Sequence, residues 1–401
     1  MEISTALPST ATQEDFLDRK LHEALCGGHQ IAVWKSPKSN TIQLILDRTE
    51  KIKKVDLELD TLPEGFIAHT FTQEEDNKAY FLKASDYFKL ELALPYIEDN
   101  DTTFNSCQLS STQIKHEIRK FLQVNGKNEK DHQPYRSTKK EDFINLVKKG
   151  ISTINTSDMA KVVPARLKKV VLIEEFDLTK TFLELCKAYS NAFVNFFHIP
   201  GVGTWLGATP EILIKTEGNY FYTMALAGTQ KAQGDNPIKN AAWTQKEIEE
   251  QALVSRYIVN NFKKIRLREY EENGPKTVLA GNLLHLRSDF RVDMQATNFP
   301  QLGAVMLKLL HPTSAVCGTP KEIAMEFIQK HEKFDRSFFS GFIGPVNIES
   351  QTSIYVNLRT AQFINNEVIL YAGAGVTEDS DPEKEWEETS LKCDIIGKFI
   401  Q

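Results

Sequence analysis

The segment Tyr371–Ile396, YAGAGVTEDSDPEKEWEETSLKCDII, sets the strictest terms for any fold this chain can adopt. An apolar run ends in Gly373 and Gly375, which lack a Cβ and tolerate backbone angles closed to other residues. Asp381 is a good N-cap and Pro382 suits the first helical position, so a helix is predicted to start near residue 382. On that helix Glu385, Glu388 and Lys392 share a side, while Trp386, Cys393 and Ile396 lean toward a core. A glycine turn ahead of a helix commonly cradles phosphate, but acidic side chains in the first turns would repel a bare anion. A divalent cation suits them better. The same glutamates also describe a solvated helix face, because acids there favour the helix dipole. An EF-hand is excluded, since Asp379, Asp381 and Glu383 are followed by no glycine at the sixth loop position. A metal site therefore needs a second acidic partner elsewhere.

The chain has room for one. Its 401 residues, 41% of them hydrophobic, suffice for a large core in one big domain or two closely packed ones. Neither an internal repeat nor a Gly, Pro or Ser linker long enough to separate independent domains is present. A net charge of -6 gives no footprint for nucleic acid. No apolar leader and no apolar run of membrane-spanning length is present, so a cytoplasmic protein without a membrane span is expected. Cys26, Cys107, Cys186, Cys317 and Cys393 are scattered without a CxxC, which argues against a disulfide framework and against zinc. They read as small core residues.

From the N-terminus, a helix over Glu14–Leu25 and strands over Gln30–Trp34 and Thr41–Leu46 are predicted, with no evident chemistry. The polar run Asn125–Lys140 reads as a loop ending in a capping box, Thr138 with Glu141. Met159–Glu174 is β-rich, and Pro164 points to an edge or a bulge. Lys161 at its start is by default a solvent-facing residue. After a helix over Thr179–Phe193, the run His198–Ile214 reads as strand, glycine turn, strand, tight turn, strand. Gly201, Gly203 and Gly207 miss the dinucleotide fingerprint and no P-loop lysine follows, so these glycines are a hairpin device. Glu211 opens an apolar strand behind Pro210; buried there, its carboxyl would have a raised pKa and suit a general acid.

A strand Phe221–Ala227 with a glycine stop leads to a helix over Ala241–Lys264, its inner stripe set by Ile248, Gln251, Ala252, Tyr257, Ile258 and Phe262. Glu247 and Glu250 stand three apart on it, supplying the second acidic pair. Two such pairs can hold one oxygen-ligated ion such as magnesium, partly through waters. A strand Asn282–Phe290 carries His285. A helix Pro300–Leu310 precedes His311, and Thr319, Pro320 and Glu322 read as the capped start of a further helix. Either histidine is a ligand or base, or a satisfied structural group. The strands Phe338–Pro345, Ile354–Phe363 and Glu367–Ala374 close the sheet, with Arg359 inside the middle one. A guanidinium there pairs with a core carboxylate or grips an anionic ligand with its fork.

Taken together, AKVVPAR, PGVGTWLGATPEILI, LAGT, EEQALV, LLHL, LHPTSAVCGTP, FDRSFFSGFIGPV, YVNLRTAQF and YAGAGVTEDSDPEKEWEETSLK resemble the chorismate-binding enzymes, and within them the isochorismate synthases. The resemblance implies a single large α+β domain over 1–401, with a divergent portion, 1–105, and a catalytic portion, 106–401. It implies two packed antiparallel sheets with helices outside and magnesium-dependent interconversion of chorismate and isochorismate. Lys161 would be the base activating water for attack at ring C2. Glu211 would be the acid protonating the departing C4 hydroxyl. Glu250 and Glu388 would bind magnesium, with Glu247 and Glu385 reaching it through water, and the ion would hold the ring carboxylate. Gly228, Thr229, His285, Ala315, Arg359, Gly375 and Lys392 would line the substrate site. The family expectation is a monomer. Anthranilate synthases share LAGT but lack a lysine at the place of Lys161, and the lysine-nucleophile aminodeoxychorismate synthases have lysine where this chain has Ala227. Pro164, Ser314 and Gln251 depart from the residues usual in the family. Two other outcomes are weighed: a salicylate synthase that goes on to release pyruvate, and a non-catalytic, metal-dependent binding protein.

Overall fold

Period-two alternation that is apolar on both faces requires strands covered from two sides, and the computed structural model shows that arrangement. It describes residues 12–49, 51–72, 77–92, 109–124, 135–280 and 283–400. An eight-stranded antiparallel sheet runs, edge to edge, through Asp86–Glu91, Thr41–Asp47, Gln30–Lys35, Phe193–Ile199, Gly203–Thr209, Thr360–Ile364, Glu367–Gly373 and Ala165–Val171. A nine-stranded sheet runs through Glu271–Ala280, Leu283–Asp293, Tyr220–Lys231, Ile212–Glu217, Gln351–Val356, Phe342–Val346, Gly65–His69, Ala79–Lys83 and Lys53–Val55. Strands from the first hundred residues thus pair within both sheets.

Alternation decides which core each side chain enters. In Gln30–Lys35, Ile31 and Val33 face the outer helices while Ala32 and Trp34 face the other sheet. In Glu367–Gly373, Val368 and Leu370 go outward, and Ile369 and Tyr371 inward. The space between the sheets is aromatic: Trp205 stacks on Tyr371 at 5.5 Å between centroids and meets Phe338 edge-on at 5.7 Å. Truncating Trp205 to alanine would cost about 3–5 kcal/mol, the usual range for a buried aromatic. Helices Gln13–Gly27, Ser111–Val124 and Leu178–Ala188 cover the first sheet. Lys140–Thr156, Gln245–Lys264, Leu302–Leu310 and Lys321–His331 cover the second. Among the described residues no helix is long and apolar enough to cross a membrane.

The chain changes sheets at two adjacent places. Strand Gly203–Thr209 passes through Pro210 and Glu211 into Ile212–Glu217 of the other sheet, and Gln351–Val356 returns through Asn357, Leu358 and Arg359 to Thr360–Ile364. The crossings are tied together: Val356 N–H donates to the Glu211 carbonyl at 3.0 Å, and Ala208 N–H to the Arg359 carbonyl at 3.0 Å. Thr209 Oγ1 adds a bond to the Val356 carbonyl at 2.6 Å. The predicted strand Ile354–Phe363 is therefore broken, and Arg359 lies in the break at φ 48°, in the left-handed region.

Other expectations fail for local reasons. Helix Leu178–Ala188 stops short because Phe193 starts a strand. Thr138 does not cap; its Oγ1 accepts from Leu167 N–H at 3.1 Å, and Lys139 takes the N-cap. Thr319 pairs with Lys161 in a two-stranded ribbon, leaving Pro320 at the cap. Strand Tyr220–Lys231 does not stop at Gly228 but bulges there. On helix Gln245–Lys264, Ile248 is 46% exposed, and Val254 replaces it in the buried stripe. Cys26 is exposed, whereas Cys186, Cys317 and Cys393 are buried; Cys107 and the polar run 125–134 lie outside the described residues.

Candidate active site

A cavity opens where the sheets part at the paired crossings. Glu211, Gly228, Thr229, Glu250, His285, Ala315, Arg359, Gly375, Glu388 and Lys392 all line it. Lys161 sits directly behind Glu250, and Glu385 and Glu247 lie off the lining.

One wall belongs to the sheets. Glu211 reaches it because the crossing turns a backbone that would otherwise continue in a strand. Burial pushes its carboxyl up to about 7, against the opposing charges of Lys161, Arg359 and Lys392. Gly228, at φ 71°, forms the bulge and turns its carbonyl to His285, whose Nδ1 lies 2.6 Å away. His285 Nε2 is 2.6 Å from an Arg359 nitrogen. A carbonyl only accepts and a guanidinium only donates, so His285 carries its proton on Nδ1 and accepts through Nε2. Burial and the Arg359 charge hold its pKa well below the usual range, which keeps that neutral tautomer. Of the two readings open for His285 the satisfied structural group is the one found: it lines the cavity as a neutral prop that aims the guanidinium. His311 is equally structural: buried, it contacts the Thr70 carbonyl at 3.2 Å.

The other wall belongs to two helices and the ribbon. Pro382–Gly397 begins as expected, with Asp381 accepting from Glu383 N–H at 2.8 Å. Glu250 accepts from Lys161 Nζ at 2.9 Å, Glu388 from Lys392 Nζ at 2.7 Å, and Glu385 from Lys246 Nζ. Burial alone would raise the Glu250 pKa, but Lys161, with Lys246 and Lys392 beyond, holds it below the usual carboxylate range. Glu385 is pushed up to about 7, by burial first and then by the charge of Glu388. Gly375 makes room for this packing: a Cβ there would lie 2.2 Å from Glu250 Oε1 and 3.1 Å from Lys161 Cε. Glu247 faces another way, in a capping box with Thr244 and 3.1 Å from Gln230 Nε2.

The donor chemistry of Glu250, Glu385 and Glu388 suits a divalent cation, although their ligand oxygens do not all lie within 4.8 Å of one another. Glu385 Oε2 is buried without a hydrogen-bond partner, beside Glu388 and Glu250, and three ammonium groups now supply the positive charge that carboxylates gathered there require. Sequence reading missed Lys246, although its place four residues before Glu250 on a helix face was a usable signal. It also missed Arg336, which lines the cavity while donating to the carbonyls of Val316 at 2.9 Å and Val163 at 2.7 Å.

Residues 80–401 match the family described as chorismate binding enzyme. The chain belongs to that family. Isochorismate synthase EntC of Escherichia coli (strain K12) is 29% identical over 261 residues, 63% of this chorismate-binding enzyme and 66% of the relative. Isochorismate synthase DhbC of Bacillus subtilis is 29% identical over 266 residues, again 63% and 66%. The alignments thus span just under two thirds of these relatives. Among solved structures, DhbC of Bacillus anthracis superposes with a TM-score of 0.71 at 23% identity, covering 96% of this chain and 99% of the other. Escherichia coli MenF, a menaquinone-specific isochorismate synthase, also gives 0.71, at 21% identity, covering 93% and 89%. These likenesses establish the shared α+β fold of two antiparallel sheets.

Proposed function

We propose that this chorismate-binding enzyme is an isochorismate synthase, a magnesium-dependent isomerase that adds water at ring C2 of chorismate and expels the C4 hydroxyl. The observation that carries the reading is one cavity lined both by Glu211, its carboxyl raised to about 7, and by Glu250, behind which Lys161 is bonded at 2.9 Å. The names of the relatives point the same way.

Glu211 near neutrality is well suited to hold a proton for a leaving hydroxyl, because an acid works best when its pKa lies near the operating pH. Lys161 would take the proton of the attacking water as the neutral amine, a state that requires it to give up its ammonium pairing with Glu250. The incoming and departing waters balance, so the reaction needs no further reactant. Arg359, held by His285, and Lys392 supply fixed positive charge for an anionic substrate. Glu250 and Glu388 would hold magnesium, with Glu385 behind them, while Glu247, expected to reach the ion through water, is held instead in its capping box with Thr244. Bound there, the ion supplies charge for a substrate carboxylate and takes over carboxylates that lysines now neutralise.

Purified protein incubated with chorismate and magnesium should form isochorismate, followed by chromatography. No product, with EDTA making no difference, refutes the reading. A coupled pyruvate assay on the same samples separates it from a salicylate synthase. Tight chorismate binding in calorimetry without turnover would instead favour a binding protein.

A further inference from the structure

Far from the cavity, helices Gln13–Gly27 and Ser111–Val124 pack through Phe16, Leu17 and Leu21 of one and Ile114, Ile118 and Leu122 of the other. On this pair, His22 and Cys26 stand four residues apart on the first helix, and Glu117 faces them from the second. One ligand atom from each lies within 4.8 Å of the other two, and among the described residues only this trio does so. His22 Nε2 already meets Glu117 Oε2. Such a pair needs no thiol for its own stability. Cys26 adds a third donor of different chemistry, and it is exposed where the other described cysteines are buried.

We propose that His22, Cys26 and Glu117 form a surface site for a borderline-soft transition ion of the zinc class, with water in the fourth position. Imidazole, thiolate and carboxylate together are the donor set zinc accepts in tetrahedral geometry, whereas magnesium favours oxygen alone. The donors sit on regular helices whose packed faces hold the backbones, so little has to be ordered on binding. The inference is independent of the proposed isomerase chemistry, since none of the three residues lines the catalytic cavity. A bound ion would clamp the first helix to the second.

Cobalt(II) serves as the probe, because thiolate ligation gives it an intense near-ultraviolet charge-transfer band. The full chain, kept in excess magnesium, is titrated with cobalt, and zinc is then added to displace it. One thiolate-ligated cobalt per chain is expected, lost in Cys26→Ser and retained in Cys107→Ser. His22→Gln and Glu117→Gln should each weaken binding at least about tenfold, as loss of one of three protein ligands entails. Binding should also strengthen as pH rises, because the thiol must shed its proton. Absence of the band in the unaltered chain overturns the proposal, and so does its persistence in Cys26→Ser. Unchanged affinity in both His22→Gln and Glu117→Gln does the same. Serine at exposed Cys26 disturbs no packing, so loss of the band there cannot be laid to misfolding.

Discussion

The two walls of the cavity solve the burial of charge in opposite ways. On the sheet wall, Arg359 leans on a neutral His285, which leans on a backbone carbonyl, and Glu211 is eased by burial toward its uncharged form. On the helix wall, Glu250, Glu385 and Glu388 each take a lysine, and Glu385 still has an unmatched buried oxygen. One wall is complete as it stands. The other balances each carboxylate with a lysine but leaves one buried oxygen unmatched, the feature on which the proposed magnesium site rests.

The largest effects should come from the groups proposed to act on either side. Lys161→Ala and Glu211→Gln are each expected to lower kcat by at least about two orders of magnitude, as loss of a general acid or base does. Near-native turnover in either variant breaks the comparison at its centre. Next, EDTA should abolish isochorismate formation and added magnesium should restore it, while the melting curve reports that the sheet wall stays folded. A smaller effect follows from pH. Glu211 must be protonated to act, so with its carboxyl at about 7 the rate should fall as pH rises through neutrality. A rate that rises steadily to pH 9 would remove it as the acid.

Stability should move the other way. His198 is held neutral by burial, its pKa pushed down to about 4. The unfolded chain protonates first, near the ordinary value of about 6.5, so stability is complete above that pH and drains as pH falls toward 4. The loss should approach roughly 3 kcal/mol for this residue, read as a falling denaturation midpoint that His198→Phe flattens. The smallest effect belongs to Ile248→Gln, expected within about 0.5 kcal/mol because the residue is exposed. A large loss would reinstate the inner stripe drawn from periodicity.

What was legible depended on how local the cause is. The cap at Asp381 and the shared face of Glu385 and Glu388 follow from near neighbours in the chain, and both appear; the raised Glu211 was legible only on condition of burial, which the sheet crossing supplies. The break at Arg359 does not, because it arises from two strands leaving their sheets side by side, more than a hundred residues apart. Thr138 and Thr319 carried valid capping signals, yet each was drawn into strand pairing that a helix rule does not see. Ile248 misled because an apolar residue on a helix need not face the core. The tautomer of His285 depends on a bulge and an arginine from other segments, and so was equally hidden.

The cross-tied passages between the sheets make Glu211 and Arg359 companions rather than independent parts. Since each backbone is fastened to the strand end beside the other, a sliding of one sheet past its neighbour carries both residues along and leaves their separation nearly unchanged. Breathing of this sandwich would therefore vary the gap to the helices, where Lys161 and the glutamates stand, without disturbing the carboxyl and the guanidinium.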